Sequence, residues 1–501
     1  MQEKMELLKS RIADIAHLSH AGAVLGWDQN TYMPPAGATG RGNQLAVISR
    51  VAHEWATAAE MGKLLTDLES YAAQLDPDSD DACLIKVSRR DYDIETRVPS
   101  QFVEEQSRTT SLAFSAWVEA RQKSDFSIFL PHLEKVVELN QRFAAFFPEF
   151  EHPYDALLDQ FEPGMKTEEV KAIFAALRPQ QVELIKAIAD QPEVDDSFLH
   201  QSFDEQKQWD FGVEVIRKFG YDFQRGRQDK APHPFTTSFG LDDVRITTRI
   251  DPQFLNPMLF GSMHETGHAL YNLGFSRSLE NSGLDSGASL AVHESQSRLW
   301  ENLVGRSMPF WQHFYPRLQE VFPQLTDVSL ERFYKGINKV QPSLIRVEAD
   351  EATYNLHIML RLELEIAMLE GSLALKDLPQ IWNQKMKDYL GVEPHNDADG
   401  ILQDVHWSYG NLGYFSTYAL GNLVSAQLWE KIQQDVTDLD DQIRQGRFEN
   451  LLGWLRENVH RHGRKFEPQV LIERVTGSRI DPAPYMRYLN KKYGQIYGIS
   501  E

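Results

Sequence analysis

Only one cysteine, Cys83, occurs in 501 residues. That excludes an internal disulfide framework and a structural zinc held by several thiolates, and a reducing compartment is the simplest setting for such a chain. Cys83 itself lies in an Asp-Ala-Cys-Leu-Ile context that reads as helix core. Basic residues are in deficit: 51 Lys and Arg stand against 73 Asp and Glu, a formal charge of −22. So acidic a surface argues against nucleic acid and against anionic membranes as partners. No apolar run is long enough to span a bilayer, and the charged start Met-Gln-Glu-Lys-Met-Glu has no apolar signal core, so the expectation is a soluble, cytoplasmic protein. A Pro/Gly/Ser-rich linker, a low-complexity tract and a fixed-period repeat are all missing. Residues 1–501 therefore read as one large domain with two lobes, a mostly helical scaffold over about 1–230 and a catalytic part over about 231–501. With no G-x-S-x-G elbow and no C-x-x-C, serine-hydrolase and redox chemistry have no support.

What is present is mainly helix. Met5, Leu8, Ile12, Ile15, Leu18 and Ala21 form a stripe of helical period that ends near Gly26, ahead of the Pro34-Pro35 break and a loop over 36–42. Helices are predicted over 43–75, 81–95, 99–123, 127–147, 167–189, 205–219 and 343–370, with 394–412 irregular. One stretch reads as strand. In Asp243 to Ile250, Val244, Ile246 and Ile250 alternate with Arg245, Thr247 and Arg249, giving one core face and one polar face. His233 to Gly240 is its predicted hairpin partner, with the turn at Gly240 to Asp242. A strand at that position can offer its backbone to an extended peptide.

The chemistry is announced just after it. Asn256-Pro257 opens a helix, with Asn256 as N-cap and Pro257 at the first position, and Gly274 closes it. On this helix His264 and His268 are one turn apart on one face, and Glu265 follows the first histidine, the H-E-x-x-H pattern of a metal-dependent hydrolase. Two imidazoles can fill two corners of a tetrahedral metal site while the glutamate serves as base toward a water. A catalytic metal needs a third ligand and an open position. Glu294, on the next predicted helix, is the candidate; the competing reading is a plain ion pair with Arg298 one turn later. His293 points about a hundred degrees away from it and is expected to serve the substrate or to support a ligand.

His233-Pro234-Phe235, Asp243-x-Arg245-x-Thr247, His264-Glu265-x-x-His268, His293-Glu294-Ser295-Gln296, Ile345-Arg346-x-x-Ala349-Asp350 and Gly400-x-x-Gln403-Asp404-x-His406-Trp407 together resemble the signature set of the thermostable carboxypeptidase Taq (M32) family of metallocarboxypeptidases. The motifs keep the family's order. The resemblance implies a mainly α fold of the neurolysin and angiotensin-converting-enzyme group, with a deep active-site groove and a small β-hairpin or sheet beside the histidine helix. It also implies a homodimer, zinc or cobalt as metal, and removal of C-terminal residues from peptides, with His233 placed among the substrate-binding residues.

Physical roles follow for the remaining motifs. A free α-carboxylate is best held by a guanidinium in bidentate fashion, and Arg346 is the first choice, oriented by Asp350 one helical turn on. Arg245, flanked by Asp243 and Thr247, is the alternative anchor. His406, Tyr414 and Tyr418 lie in a donor-rich stretch suited to the oxygen that becomes negative during attack on a carbonyl; in related helical peptidases a histidine and a tyrosine from such a stretch do this. Trp407 reads as packing. Two other functions stay open at this point: a metal-dependent oligopeptidase or dipeptidyl carboxypeptidase, and a non-enzymatic helical peptide-binding protein. No orienting partner for the histidines can be named, because the position four after Glu294 holds Arg298.

Overall fold

A computed structural model describes residues 1–499. It is mainly helical with one three-stranded sheet. One apolar core runs from Ala113 to Ile496 and does not divide near residue 230; a smaller cluster joins Met5 and Leu8 to Leu64, Leu68, Ile85, Leu279 and Leu284. Among the described residues no helix is long and apolar enough to cross a membrane.

Helices Thr167–Ala189 and Glu205–Phe219 fall where the periodicity predicts them. Others differ at specific breaks. The first helix, α1 (Gln2–Thr31), continues through Gly26, because Trp27 packs inward and gives the last turn a core contact; it stops before Pro34. The second, α2 (Ala38–Ala56), begins inside the predicted loop, and a break at Thr57 and Ala58 separates it from Ala59–Ala72. The predicted helix over 343–370 starts only at Tyr354, after a 3-10 turn at Arg346–Glu348. Asp350 is the cause: its carboxylate accepts the N–H groups of Ala352 and Thr353 and the Thr353 hydroxyl, so it terminates the loop instead of continuing a helix.

The sheet is ordered β1 (Gln228–Lys230), β3 (Val244–Thr248), β2 (Thr236–Ser238). The hairpin is as predicted, antiparallel with Thr237 opposite Arg245, and Gly240 at φ +135° makes the turn. Parallel β1, with Asp229 opposite Thr247, carries no apolar alternation and gave no signal. Two corrections follow. β3 is the central strand, so its backbone is paired on both sides and cannot take up a peptide. Its polar face is covered in part: Thr247 is fully buried and bonds the Phe235 backbone, Arg245 is half-buried and Arg249 is exposed.

Candidate active site

The histidine helix spans Asn256–Asn272, with Leu255, not Asn256, at the N-cap. Gly274 ends it by close approach, not by a left-handed conformation: a Cβ there would come within 2.5 Å of the His460 ring. His264 and His268 project from one face as their spacing requires, and their Nε2 atoms lie 3.6 and 3.5 Å from the same oxygen, Oε2 of Glu294. One ligand atom from each of the three residues falls within 4.8 Å of the others. Glu294 is on the helix Leu290–Arg298, which Ser289 caps by accepting the Val292 N–H.

Two glycines let this short helix reach the histidines. At Gly267, inside the H-E-x-x-H motif, an added Cβ would lie 2.5 Å from the Gln296 carbonyl oxygen; at Gly421, on the helix Ser416–Asp435, it would lie 2.6 Å from Glu294 Cβ. The ligand helix is thus pressed between two others, and its small residues Ala291, Ser295 and Ser297 are fully buried.

The orienting partners the sequence left unnamed are now visible. His264 Nδ1 meets Glu301 Oε2 at 2.9 Å. His268 Nδ1 is 2.6 Å from His293 Nδ1, and His293 Nε2 is 3.0 Å from Asn272 Oδ1. One tautomer set satisfies all three contacts. Each ligand histidine donates from Nδ1, His293 donates from Nε2 to the amide oxygen, and both Nε2 lone pairs are left facing Glu294, as a metal requires. Burial and the adjacent His268 hold His293 well below its ordinary value, so it stays neutral in this chain. Both ring nitrogens of His293 are thus taken up by His268 and Asn272.

Glu294 does pair with Arg298, whose Nε donates to Oε1 at 2.7 Å, and its Oε2 faces the two histidines, so the ion pair leaves an oxygen available to a metal. Burial would raise the Glu294 carboxyl, yet Arg298 and the histidines keep it well below the usual range; Glu301 is likewise held down to about 2 by Arg298 and His264 against its burial. Glu301 lies seven residues after Glu294, in the π-helical turn Leu299–Val304 that continues the helix, and both carboxylates meet Arg298; the seven-residue spacing was the signal available for it.

Glu265 is nearly buried, and its Oε2 is 2.6 Å from the hydroxyl of Thr236 on β2. The hairpin thus steadies the carboxylate, a role that the sequence reading of the strand did not include. Arg245 is taken up elsewhere. Its Nε and Nη2 both donate to Asp243 at 2.8 Å, and its guanidinium lies between the rings of Trp27 and Phe239, 4.4 and 4.8 Å from their centroids. It fastens α1 to the sheet. Thr247 bonds Phe235 instead of orienting Arg245. His233 is exposed in the loop between β1 and β2.

Arg346 is buried and is oriented by Asp404, not by Asp350. Its Nε and Nη2 donate to Asp404 Oδ1 at 3.0 and 2.8 Å, and Nη1 donates to the Tyr354 hydroxyl at 2.9 Å. Three of the five guanidinium N–H groups are thereby engaged, leaving the number a bidentate carboxylate takes. The second oxygen of Asp404 accepts from Arg361 at 2.7 Å. Tyr354 stands between Arg346 and Arg298, with the Arg298 guanidinium 4.7 Å from its ring centroid.

His406 opens a short 3-10 turn, His406–Tyr409. Its ring is 5.3 Å from that of Tyr414 and 6.5 Å from that of Tyr418, and the two tyrosine rings are 5.4 Å apart. The structure therefore brings all three donors together, although the helix starts only at Ser416 and Tyr414 precedes it. Burial lowers His406 to about 4, so it is a neutral donor at physiological pH. Trp407 is more than packing: its indole N–H donates to Glu365 at 2.7 Å.

Known proteins match this chain along nearly its whole length. The profile of the carboxypeptidase Taq (M32) metallopeptidase family covers residues 7–493. Thermostable carboxypeptidase 1 of Thermus thermophilus is 42% identical over 97% of each chain, and carboxypeptidase 1 of Bacillus subtilis is 39% identical over 99% of this chain and 98% of its own. Of solved structures, the M32 carboxypeptidase from Deinococcus radiodurans superposes with a TM-score of 0.97 at 42% identity, covering 99% of this chain and 100% of that one. Metallocarboxypeptidase 1 of Trypanosoma cruzi does so with 0.94 at 32% identity, covering 98% and 100%.

Proposed function

The chain belongs to the carboxypeptidase Taq (M32) metallopeptidase family, and from that premise we propose that it is a zinc-dependent carboxypeptidase releasing single C-terminal residues from peptides, with cobalt as a competent substitute. The observation that carries this reading is the convergence of His264, His268 and Glu294 on one point, with Glu265 directly after the first ligand. The donor set fits a borderline divalent cation: two imidazole nitrogens and one carboxylate oxygen, each tied from behind by Glu301, His293 or Arg298.

A cation bound by these three residues supplies Lewis-acid polarisation of a carbonyl and lowers the pKa of water. The rest is the work of side chains. Arg346, with two N–H groups unengaged, receives the terminal carboxylate and so fixes which peptide bond is presented. Glu265, steadied by Thr236, takes the proton of the attacking water and delivers it to the departing amine. His406, with Tyr414 or Tyr418, donates to the carbonyl oxygen as it becomes negative. Peptides with a free C-terminus are the partners this requires, and the resemblance adds a homodimer.

The test is product identification. The chelated protein, given zinc or cobalt, is incubated with an N-blocked dipeptide and a longer peptide. Release of one C-terminal residue at a time is expected; internal cleavage or release of dipeptides would overturn the exopeptidase reading in favour of an oligopeptidase.

A further inference from the structure

Glu365 lies mid-way along the helix Tyr354–Glu370, fully buried in an apolar run, Leu362-Glu363-Leu364-Glu365-Ile366-Ala367-Met368. A lone carboxylate in such a place is costly unless donors surround it. Three do. Oε1 accepts the Trp407 indole N–H at 2.7 Å, and Oε2 accepts the Tyr154 hydroxyl at 2.6 Å and the Gly413 backbone N–H at 3.0 Å.

The placement of these donors gives the carboxylate its meaning. Trp407 directly follows His406, and Gly413 directly precedes Tyr414, so one side chain holds both ends of the segment that carries the oxyanion donors. The rest of the segment is packed: Trp407 and Leu412 are buried in the core and Tyr409 stacks on Phe114 at 5.2 Å. Gly413 has φ +95° and passes so close to Leu157 that a Cβ would lie 2.8 Å from its carbonyl carbon; Gly410 is also left-handed, at φ +78°. Inside the loop the Asn411 N–H returns to the His406 carbonyl at 3.1 Å. Tyr154 comes from the helix Pro153–Leu158 and completes the grip from the opposite side.

We propose that Glu365 is a positioning residue for catalysis: it holds His406 and Tyr414 at the separation at which both reach the oxygen of the attacked carbonyl. The proposal rests on the carboxypeptidase reading and on those two residues as donors. A carboxylate is specifically required, because it accepts on both oxygens; a glutamine would turn an NH₂ group toward Trp407 or toward Gly413, donor against donor. Burial raises the group to about 7, while Tyr154, Gly413, Trp407 and the charge of Arg361 pull the other way. Arg361 itself is committed to Asp404, and among the described residues no cation pairs with Glu365 directly.

Two variants test this, Glu365→Gln and Trp407→Phe; the second removes one N–H and keeps a ring, so it serves if the first does not fold. Each is loaded with zinc and assayed for kcat, KM, zinc retention against a chelator, and affinity for two dipeptide analogues with free carboxylates. The phosphinic analogue carries a tetrahedral centre with a charged oxygen, and the reduced-amide analogue has no oxygen at that position. Loss of donor alignment should lower kcat and phosphinic affinity together, by about 10-fold or more, with reduced-amide affinity, KM and zinc retention unchanged. Unchanged phosphinic affinity in the folded variants, or equal loss for both analogues, would overturn the proposal. Failure of the wild type to cleave free-acid peptides would instead strike the carboxypeptidase reading beneath it.

Discussion

The metal corner and the donor corner of the site adjoin each other through Arg298, Tyr354 and Arg346, yet they are built on different scales. Ligands and their supports, His264, His268, His293, Glu294, Arg298 and Glu301, all fall between residues 264 and 301. The donor corner is held by contacts distant in sequence: Arg346 to Asp404, Arg361 to Asp404, Trp407 to Glu365 and Tyr154 to Glu365 span 42 to 211 positions. Their electrostatics differ as well. The first corner sets two buried, ionised carboxylates against one guanidinium, Arg298, and so has the charge to receive a cation, whereas the second sets one ionised carboxylate, Asp404, against two, Arg346 and Arg361, beside a neutral histidine and a carboxyl raised to about 7. Local spacing suffices to write a metal site. Aiming neutral donors at one oxygen takes several elements at once.

If this division is sound, damage to each corner should fail differently. The largest effect belongs to the base: Glu265→Gln should lower kcat by about 10²- to 10⁴-fold with a full complement of metal, and metal analysis beside the rate would show at once if the loss were one of binding. Next comes Glu301→Gln, which should weaken metal affinity by about 10- to 100-fold, read by chelator competition, and recover much of its rate at saturating metal. A variant of the donor corner should do the reverse, losing rate with metal affinity intact. If Glu301→Gln also lost rate at saturating metal, the two corners would not be separable in this way.

The smallest effect sharpens the comparison from the stability side. Glu162 is fully buried, accepts the Ala291 N–H at the start of the ligand helix, and is pushed up by burial to about 8. A folded-state value raised above the unfolded one gives stability that is full below the ordinary carboxyl range and is lost as pH rises through about 8. Glu162→Gln should therefore show a melting temperature that gains on the wild type between about pH 5 and about pH 9. A constant difference across that range would mean that Glu162 does not titrate in the folded protein.

What could be read in the sequence follows the same division. The histidine helix, the helix that brings Glu294 to it and the β-hairpin were legible because helical and strand periods are local. So was Glu301 in principle, one heptad beyond Glu294. Arg346 and Asp404 stood in the motifs, but nothing in their spacing says that they meet, and Asp350, nearer in sequence, was the wrong partner: it caps a turn. Arg245 misled for a related reason. Its neighbour Asp243 is local, but Trp27, which covers its guanidinium, is not. Glu365 gave no sign at all, since a glutamate within an apolar helix acquires its role only from Tyr154, Trp407 and Gly413.

The most direct test of the account asks whether the two corners act on one substrate with a free end. Peptides differing only in a terminal carboxylate or carboxamide are compared by kcat/KM in the wild type and in Arg346→Lys, which keeps the charge and loses the fork. The account predicts that the wild type prefers the free acid by about 10-fold to 100-fold or more and that the variant loses most of that preference. Equal cleavage of acid and amide by the wild type, or an undiminished preference in Arg346→Lys, would contradict it.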